Sequence, residues 1–456
     1  MANEWRTYLR DHYETHVDEL KEYLRIPSIS ALPDHDSDVR SAADWVANKL
    51  RAAGFPHVEM IETERNPIVF AHWHVDDSQP TAMIYGHYDV QPPDPLELWE
   101  SPPFEPTVRD GRLYARGASD DKGNSYATVK AIEALHATEG KPPINVKVFF
   151  EGEEEIGSPS MGPVIRDNKD KLACDFIISA DGGMHSADQP SVTLSSKGMA
   201  ACQVNLKTAA TDLHSGLHGA NVPNAVQSLV KLASSFHDES HRVAIDGFYD
   251  RVRELSDQDR ADIAAVPYDE DGYKQSVGAS ELKGEAGYTP NERAWVRPTL
   301  DINGFWGGFQ GEGVKTVTPN EAHLKITCRL VPDQEPEEIV ELINAHCQKH
   351  CPVGASVSVE RFPGQARPFS ISRDHPALKT AMDVLEDMYD KDVYITRVGG
   401  TVPVAELFQR ELGSDMVFFS WGLPDNGMHA PNESYRLVDF ERMREGYCRY
   451  LHALAR

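Results

Sequence analysis

Side chains that bind metal ions recur in five short segments of the sequence, each at the apparent end of a strand. These segments are YGHYDV (85–90), RGASDDKG (116–123), EGEEEIG (151–157), SADGG (179–183) and GMHAPNE (427–433). Their histidines and carboxylates suit Zn²⁺ or Mn²⁺, and none of them contains a cysteine. A two-metal site needs one carboxylate that bridges the ions and further ligands on both sides. Because one helix or loop cannot supply so many ligands, their spread over several elements favours such a site.

Strands that alternate with helices must position these segments. Four apolar runs predict strands: PIVFAHWH (67–74), TAMIYGHYDV (81–90), INVKVFF (144–150) and CDFIISA (174–180). A helix is predicted at residues 121–137, between the second and third of these strands. This alternation predicts an α/β domain with a mostly parallel mixed sheet covered on both faces. Ligands of such sheets bind beyond the carboxyl ends of the strands. We therefore expect His87, Asp89, the glutamates after Phe150 and Asp181 to lie near one another.

The pattern changes near residue 197 and returns near residue 385. Two longer strands are predicted in between, at residues 198–210 and 321–332. Each is followed by a predicted helix, at residues 224–237 and 336–350 respectively. Residues 269–292 are rich in glycine and acidic residues and are predicted to form a loop excursion. We predict a first domain of residues 1–197 and 385–456, interrupted by a smaller α+β domain of residues 198–384.

Composition excludes several classes of protein. The 456 residues include 45 basic and 72 acidic residues, a net charge of −27, which argues against nucleic acid or an anionic membrane as a partner. No run of about 18 apolar residues occurs. The six cysteines are scattered rather than set out as a disulfide framework, which is typical of reduced cytosolic thiols. The expectation is a soluble, cytoplasmic protein.

Six motifs in order carry a resemblance to a known family. They are His87-Tyr88-Asp89, Gly117–Gly123, Glu151–Glu155, Asp181, Asp212–Gly216 and His429. Together they resemble the motifs of the M20 family of dinuclear metallopeptidases, and the match runs from about residue 5 to the C-terminus. The long segment between His214 and Arg329 resembles the carnosinase and cytosolic nonspecific dipeptidase branch. The resemblance implies a metallopeptidase catalytic domain with an inserted lid and dimerisation domain, and a homodimer.

The resemblance also implies roles for the residues around the metals. His87 and Asp181 would bind one ion, Glu155 and His429 would bind the other, and Asp120 would bridge the two. The expected ion is Zn²⁺, with Mn²⁺ as the alternative. Asp89 would orient the His87 imidazole. Glu154 would be the general base that takes a proton from a metal-bridging water and delivers it to the leaving amine. In the family the peptide bond after the bridging aspartate is cis, so Asp120-Asp121 is expected to be cis.

Substrate-binding roles fall in the inserted domain and just after it. His214 would reach into the partner subunit's site and steady the tetrahedral oxyanion. Arg329, Thr316 and Thr401 match positions that hold the free carboxylate of a dipeptide's C-terminal residue, for which an arginine fork is suited. The predicted function is hydrolysis of the peptide bond of small peptides.

Other interpretations stay open for the sequence alone. An N-acyl amino-acid amidohydrolase, such as a desuccinylase, would use the same metals and base. A non-enzymatic ligand-binding protein and an acidic cation buffer are further alternatives, and HCQKHC (346–351) has spacing that can bind a metal on a helix. In the glutamate run, Glu151 is interpreted as a framing residue and Glu153 as structural or solvated.

Overall fold

The computed structural model describes residues 4–455, and the chain folds into two compact units. The first unit comprises Met1–Thr193, Ile371–Ile395 and Leu407–Arg456, and the second comprises Leu194–Ser370 and Thr396–Glu406. The domain borders expected after residues 197 and 384 stay predictions.

The helices range from four to 18 residues in length. Their bounds are α1 Glu4–Asp11, α2 Tyr13–Leu24, α3 Asp36–Ala52, α4 Lys122–Glu139, α5 Met161–Asp167, α6 Lys169–Leu172, α7 Ser215–His218, α8 Ala225–Ser234, α9 Asp257–Ala265, α10 Glu270–Val277, α11 Pro290–Val296, α12 Pro336–Lys349, α13 Pro376–Tyr389, α14 Pro403–Leu412 and α15 Leu437–Leu454. Among the helices of residues 4–455, none combines the length and apolar character needed to span a bilayer.

The strands form several sheets. Their bounds are β1 His57–Ile61, β2 Ile68–Trp73, β3 Thr81–His87, β4 Thr107–Arg109, β5 Arg112–Tyr114, β6 Asn145–Glu151, β7 Phe176–Ser179, β8 Ser191–Ser196, β9 Gly198–Lys207, β10 Leu213–His214, β11 Thr299–Gly307, β12 Val317–Thr318, β13 Glu321–Leu330, β14 Ser356–Arg361, β15 Phe369–Ser370, β16 Tyr394–Val398, β17 Asp415–Phe418 and β18 Ser434–Arg436.

The central sheet of the first unit has six strands in the order β1-β2-β6-β3-β7-β17. Strands β6, β3, β7 and β17 are parallel neighbours, while β1 and β2 add an antiparallel edge. The expectation of a mostly parallel mixed sheet is confirmed. The strands β3 and β6 are buried along nearly their whole length, which is consistent with their mainly apolar sequences. Their register pairs His87 with Glu151, so both strands end at the same edge.

Helix α4 follows the acidic loop of the first unit. The Asp120–Asp121 peptide bond is cis, as expected, and α4 begins at the next residue. The helix is buried at almost every position of its first three turns and ends at Gly140, whose φ of +80° is the left-handed conformation that glycine adopts readily. Because α4 is packed on all sides, its start holds the preceding loop in a defined place.

The second unit contains a four-stranded antiparallel sheet in the order β11-β13-β9-β14. Alternate residues of β13 are buried, from Ala322 to Leu330, because successive side chains of a strand point to opposite faces. Helices α8 and α12 contribute Leu229, Leu232 and Ile343 to the same apolar core. This is the α+β arrangement predicted for the inserted segment.

One local prediction was wrong. The excursion of residues 269–292 is not all loop, because it contains α10, where Asp269 accepts a hydrogen bond from Gly272 N and Gly278 ends the helix at φ +68°. Short capped helices of this kind are easily taken for loops when glycine and acidic residues dominate their composition.

Candidate active site

His87 stands at the end of β3, wholly buried and fixed by Asp89. Its Nδ1 lies 3.1 Å from the Asp89 carbonyl oxygen and 3.4 Å from Asp89 Oδ1. Both are acceptors, so Nδ1 carries the proton and Nε2 is available as a ligand atom. Asp89 is itself held, because its Oδ2 accepts hydrogen bonds from Ser30 Oγ at 2.6 Å and from Glu155 N at 3.1 Å.

Asp120 lies between two histidines, with one carboxylate oxygen toward each. Oδ1 is 3.1 Å from His87 Nε2, and Oδ2 is 3.0 Å from His429 Nε2. His429 has a φ of +61°, a left-handed conformation that is uncommon for residues other than glycine and is concentrated at functional sites. The loop that carries His429 therefore adopts a costly conformation in order to place its imidazole beside Asp120.

Glu155 and Asp181 complete the two groups of possible metal ligands on either side of Asp120. Glu155 Oε2 is 3.2 Å from His429 Nε2 and accepts a hydrogen bond from Gln91 Nε2 at 2.8 Å. Asp181 Oδ2 is 4.0 Å from His87 Nε2, and Asp181 follows the end of β7. The expected set thus converges as two groups that share Asp120: His87, Asp120 and Asp181, and Asp120, Glu155 and His429.

The donor set fits two divalent cations. The ligand atoms of each group lie within 4.8 Å of one another. Two imidazoles and three carboxylates in this arrangement are a common set for Zn²⁺ and related ions, and a carboxylate with one oxygen on each side can bridge. The HCQKHC segment offers no comparable cluster within the described residues, since His346 Nε2 contacts Ser235 Oγ at 2.8 Å and Cys347 is part of the apolar core.

The electrostatics of the group favour bound cations. Burial raises the pKa of Asp181 to about 6, against the opposing effect of His87. Hydrogen bonding to Asp120 and Glu155 raises the pKa of His429 to about 10. Burial alone would lower the pKa of His87, but hydrogen bonds to Asp120 and Asp89 outweigh it and hold that pKa well above its usual value. In the protein without ions, the protonated histidines thus offset part of the negative charge of the carboxylates. Bound metal cations would take over this role.

Glu154 is adjacent to these ligands, but its carboxylate is not bound to any of them. It begins a short 3₁₀ helix, Glu154–Ile156, and no hydrogen bond or ion pair from residues 4–455 engages its carboxylate. Burial, followed by the nearby charges of Asp181 and Glu155, raises the pKa of Glu154 well above its usual value, although His87 opposes this. A partly buried, unengaged carboxylate with a raised pKa has the properties of a general base.

The neighbouring glutamates are anchors rather than solvated charges. Glu153 is 2% exposed and accepts hydrogen bonds from Asn66 N, Thr63 Oγ1 and both the backbone N and Oγ of Ser160. Glu151, at the end of β6, accepts from Tyr85 Oη at 2.7 Å and Ser158 Oγ at 2.9 Å. Of the two alternatives open for Glu153, the structural one is therefore correct.

The other four expected residues belong to the second unit. His214 is exposed at the end of β10, and its Nδ1 accepts a hydrogen bond from Gly216 N at 3.1 Å. Thr316 lies beside it, because its carbonyl oxygen accepts from Ser215 N. Arg329 NH1 donates to Thr401 Oγ1 at 2.7 Å, so these two predicted carboxylate-binding residues are in direct contact although 72 residues separate them.

The model of Peptidase family M20/M25/M40 matches residues 83–453, which is most of the chain. This chain is a member of that family. The M20 assignment agrees with the resemblance carried by the six motifs.

Relatives of this M20 chain match it over nearly their whole length. The Cys-Gly metallodipeptidase dug1 of Schizosaccharomyces pombe is 29% identical, over 96% of this chain and 95% of that protein. The human Beta-Ala-His dipeptidase is 27% identical, over 93% of this chain and 87% of that protein. The crystal structure of the M20 family metallo-carboxypeptidase Sso-CP2 from Sulfolobus solfataricus has a TM-score of 0.79 at 31% identity, and the match covers 96% and 99% of the two chains.

Two contacts of the M20 site were not predicted from sequence. Gln91 donates to both the carbonyl and the carboxylate of Glu155, and Glu433 accepts hydrogen bonds from the loop that carries Asp120. Gln91 lies two residues after Asp89, so its position beyond the end of β3 was a usable signal. Glu433 lies in the GMHAPNE segment, but its partners are more than 300 residues away, and no local pattern indicates them.

Proposed function

We propose that this M20 chain is a dinuclear metal-dependent dipeptidase that hydrolyses the peptide bond of small peptides. The observation that carries the proposal is the placement of Asp120, whose two carboxylate oxygens face His87 and His429. Relatives that match over 90% of the chain and are named dipeptidases support the substrate class.

Two ions would be held by residues of the first unit. His87 and Asp181 would bind one ion, Glu155 and His429 the second, and Asp120 would bridge them. When bound, the ions would supply activation of water and stabilisation of negative charge on the substrate. Zn²⁺ is the proposed ion and Mn²⁺ the alternative, since imidazole and carboxylate ligands without thiolate suit both.

Asp89 acts through His87 and Glu155 rather than on the substrate. Its backbone carbonyl and carboxylate face His87 Nδ1, and its Oδ2 accepts from Glu155 N. It therefore fixes the orientation of one ligand side chain and the backbone of another.

Glu154 is the proposed general base and acid. It takes a proton from the water whose oxygen bonds to the carbonyl carbon, and it delivers that proton to the amine nitrogen as the C–N bond breaks, so that a neutral amine leaves. Its carboxylate is suited to this because it forms no hydrogen bond or ion pair with any residue that the structure describes. The adjacent Glu155, in contrast, contacts Gln91 and His429. Bound cations would lower the raised pKa of Glu154 toward a value suited to accepting a proton near neutral pH.

Residues of the second unit are proposed to bind the substrate. Arg329, with Thr401 in contact and with Thr316, would hold the free carboxylate at the C-terminus of the peptide. His214 would reach from a partner subunit of a homodimer and steady the oxyanion. The second unit would thus serve as the lid and dimerisation domain. A cytoplasmic location is proposed because the six cysteines are free thiols.

A second candidate is carboxypeptidase action on longer peptides. It is favoured by the 31% identity to Sso-CP2, which is described as a metallo-carboxypeptidase. Both activities need recognition of a free terminal carboxylate, so the Arg329–Thr401 contact serves either. The length of the accepted peptide distinguishes them.

The test is a substrate panel with zinc- or manganese-reconstituted protein. It compares Cys-Gly, β-Ala-His, other dipeptides, tripeptides, longer peptides and N-acyl amino acids by kcat/KM. The proposal expects dipeptides to be the preferred substrates. Higher kcat/KM for longer peptides would favour the carboxypeptidase, and preference for N-acyl amino acids would favour an amidohydrolase.

A further inference from the structure

Glu433 is a wholly buried carboxylate to which the proposed mechanism assigns no role. It follows His429 by four residues and immediately precedes β18. A buried carboxylate is costly unless it is paired and hydrogen-bonded. The hydrogen bonds that Glu433 makes therefore indicate its role.

Glu433 binds the loop 116–120 through both carboxylate oxygens. Oε2 accepts from Arg116 NH1 at 2.7 Å and from Gly117 N at 2.8 Å. Oε1 accepts from Ser119 N at 2.8 Å and from Asp120 N at 3.1 Å. Three of the four donors are backbone N–H groups of one short loop, and hydrogen bonds to a charged acceptor are stronger than neutral ones.

The loop cannot satisfy these N–H groups by regular structure. It turns between β5 and α4, with Gly117 at a φ of +80°, so that N–H groups of this short loop point toward one acceptor. Gly117 is required there, since a Cβ would lie 2.5 Å from Val90 Cγ1. The side chain of Ser119 adds a second anchor by donating to Asn426 Oδ1 at 2.9 Å.

The last of these N–H groups belongs to Asp120, whose carboxylate faces the two histidines. Fixing the Asp120 backbone limits where its Oδ1 and Oδ2 can lie, and a bridging ligand would tolerate little displacement, because each oxygen would serve a different ion. Arg116 supplies the countercharge, and its side chain is 1% exposed.

We propose that Glu433 is a positioning residue that presets the loop 116–120 so that Asp120 can bridge two metal ions. The inference rests on the proposed function for the bridging role of Asp120. The competing interpretation is a buried ion pair with Arg116 that only stabilises the fold.

The test measures zinc affinity by competition with a chromogenic chelator, together with thermal stability, for purified full-length variants. Glu433→Gln keeps the shape, but its amide nitrogen cannot accept the backbone hydrogen bonds on one side. We expect zinc affinity to fall about 10- to 100-fold for the ions that share Asp120, as for other residues that orient metal ligands.

A matched control separates affinity from stability. Glu285→Gln breaks another buried carboxylate–guanidinium pair, with Arg297, whose two contacts are 2.7 and 2.8 Å. It lies in the second unit, whereas the proposed metal ligands all belong to the first. This control should lower thermal stability and leave zinc affinity unchanged.

The double variant Arg116→Met/Glu433→Gln keeps the inference testable if the single variant does not fold. It leaves no unpaired buried charge, so it should recover stability while zinc affinity stays low. Wild-type affinity in either folded Glu433→Gln protein would overturn the inference. Wild-type protein that binds two ions but cleaves no dipeptide would refute the proposed function and leave this comparison valid.

Discussion

At the scale of single residues, four glutamates close together in sequence have four different environments. Glu151 and Glu153 are buried anchors, Glu155 contacts His429 and Gln91, and the Glu154 carboxylate is unengaged. Residue type alone does not distinguish them, since all carry the same carboxylate. What differs is the set of donors that each one meets, and this is why only Glu154 is proposed to move protons.

Glu154→Gln tests this distinction. The amide cannot accept a proton, so we expect kcat to fall by about 10²- to 10⁴-fold while both metal ions stay bound. Steady-state kinetics and metal analysis of the same preparation measure the two quantities. Glu64→Gln, at an exposed position of the same unit, is the control and should match wild type. Full activity in Glu154→Gln with both ions retained would show that the proton-transfer assignment is wrong.

At the scale of elements, the ends of parallel strands bring the site together. Strand β3 supplies His87, β6 leads into the glutamate run, and β7 leads into Asp181. Apolar runs followed by acidic residues made this much predictable, because parallel strands place their carboxyl ends at one edge. The specific roles of Asp120 and His429 came instead from the resemblance to the M20 family.

The remaining contacts could not be predicted for a physical reason. Glu433 and its donors at residues 116–120 meet only in the folded chain, and the hydrogen bonds of Glu153 come from residues 63, 66 and 160. A buried acid looks the same in sequence as a solvated one until its donors are known. Helix α10 was missed because its Asp269 cap and Gly278 end resemble turn signals.

The end of β6 predicts a pH effect. Burial raises the pKa of Glu151 to about 8 in the metal-free protein, from 4.5. The folded state then binds this proton more tightly than the unfolded state, so stability is lost as pH rises from 4.5 to 8. Glu151→Gln removes the ionisation and keeps an acceptor for Tyr85 Oη. Urea midpoints of metal-free protein should therefore fall less with pH in the variant, and identical pH profiles would contradict the assignment.

At the scale of the whole molecule, the proposed active site includes a residue from a second copy of the chain. The metal ligands and Glu154 belong to the first unit, whereas His214 is exposed in the second and is proposed to act in the partner's site. In a symmetric dimer such sharing is reciprocal, so each subunit would both supply and receive the histidine.

Mixing two inactive variants tests this sharing. His214→Ala and Glu154→Gln subunits should regain partial activity after exchange, because one site of each mixed dimer has both groups. Exchange is verified with subunits that carry different tags, and His218→Ala, at a nearby exposed histidine, is the control that should be active unmixed. Absence of recovery despite demonstrated exchange would count against a site shared between subunits.

The most direct test of the central claim is a zinc titration of metal-free protein with dipeptide hydrolysis followed at each point. If Asp120 bridges two ions in one catalytic site, activity should rise to its maximum when two zinc ions are bound per chain. Asp120→Asn should bind the ions less tightly and should not reach that maximum. Full activity at one ion per chain, or no dipeptide hydrolysis at two, would contradict a dinuclear dipeptidase.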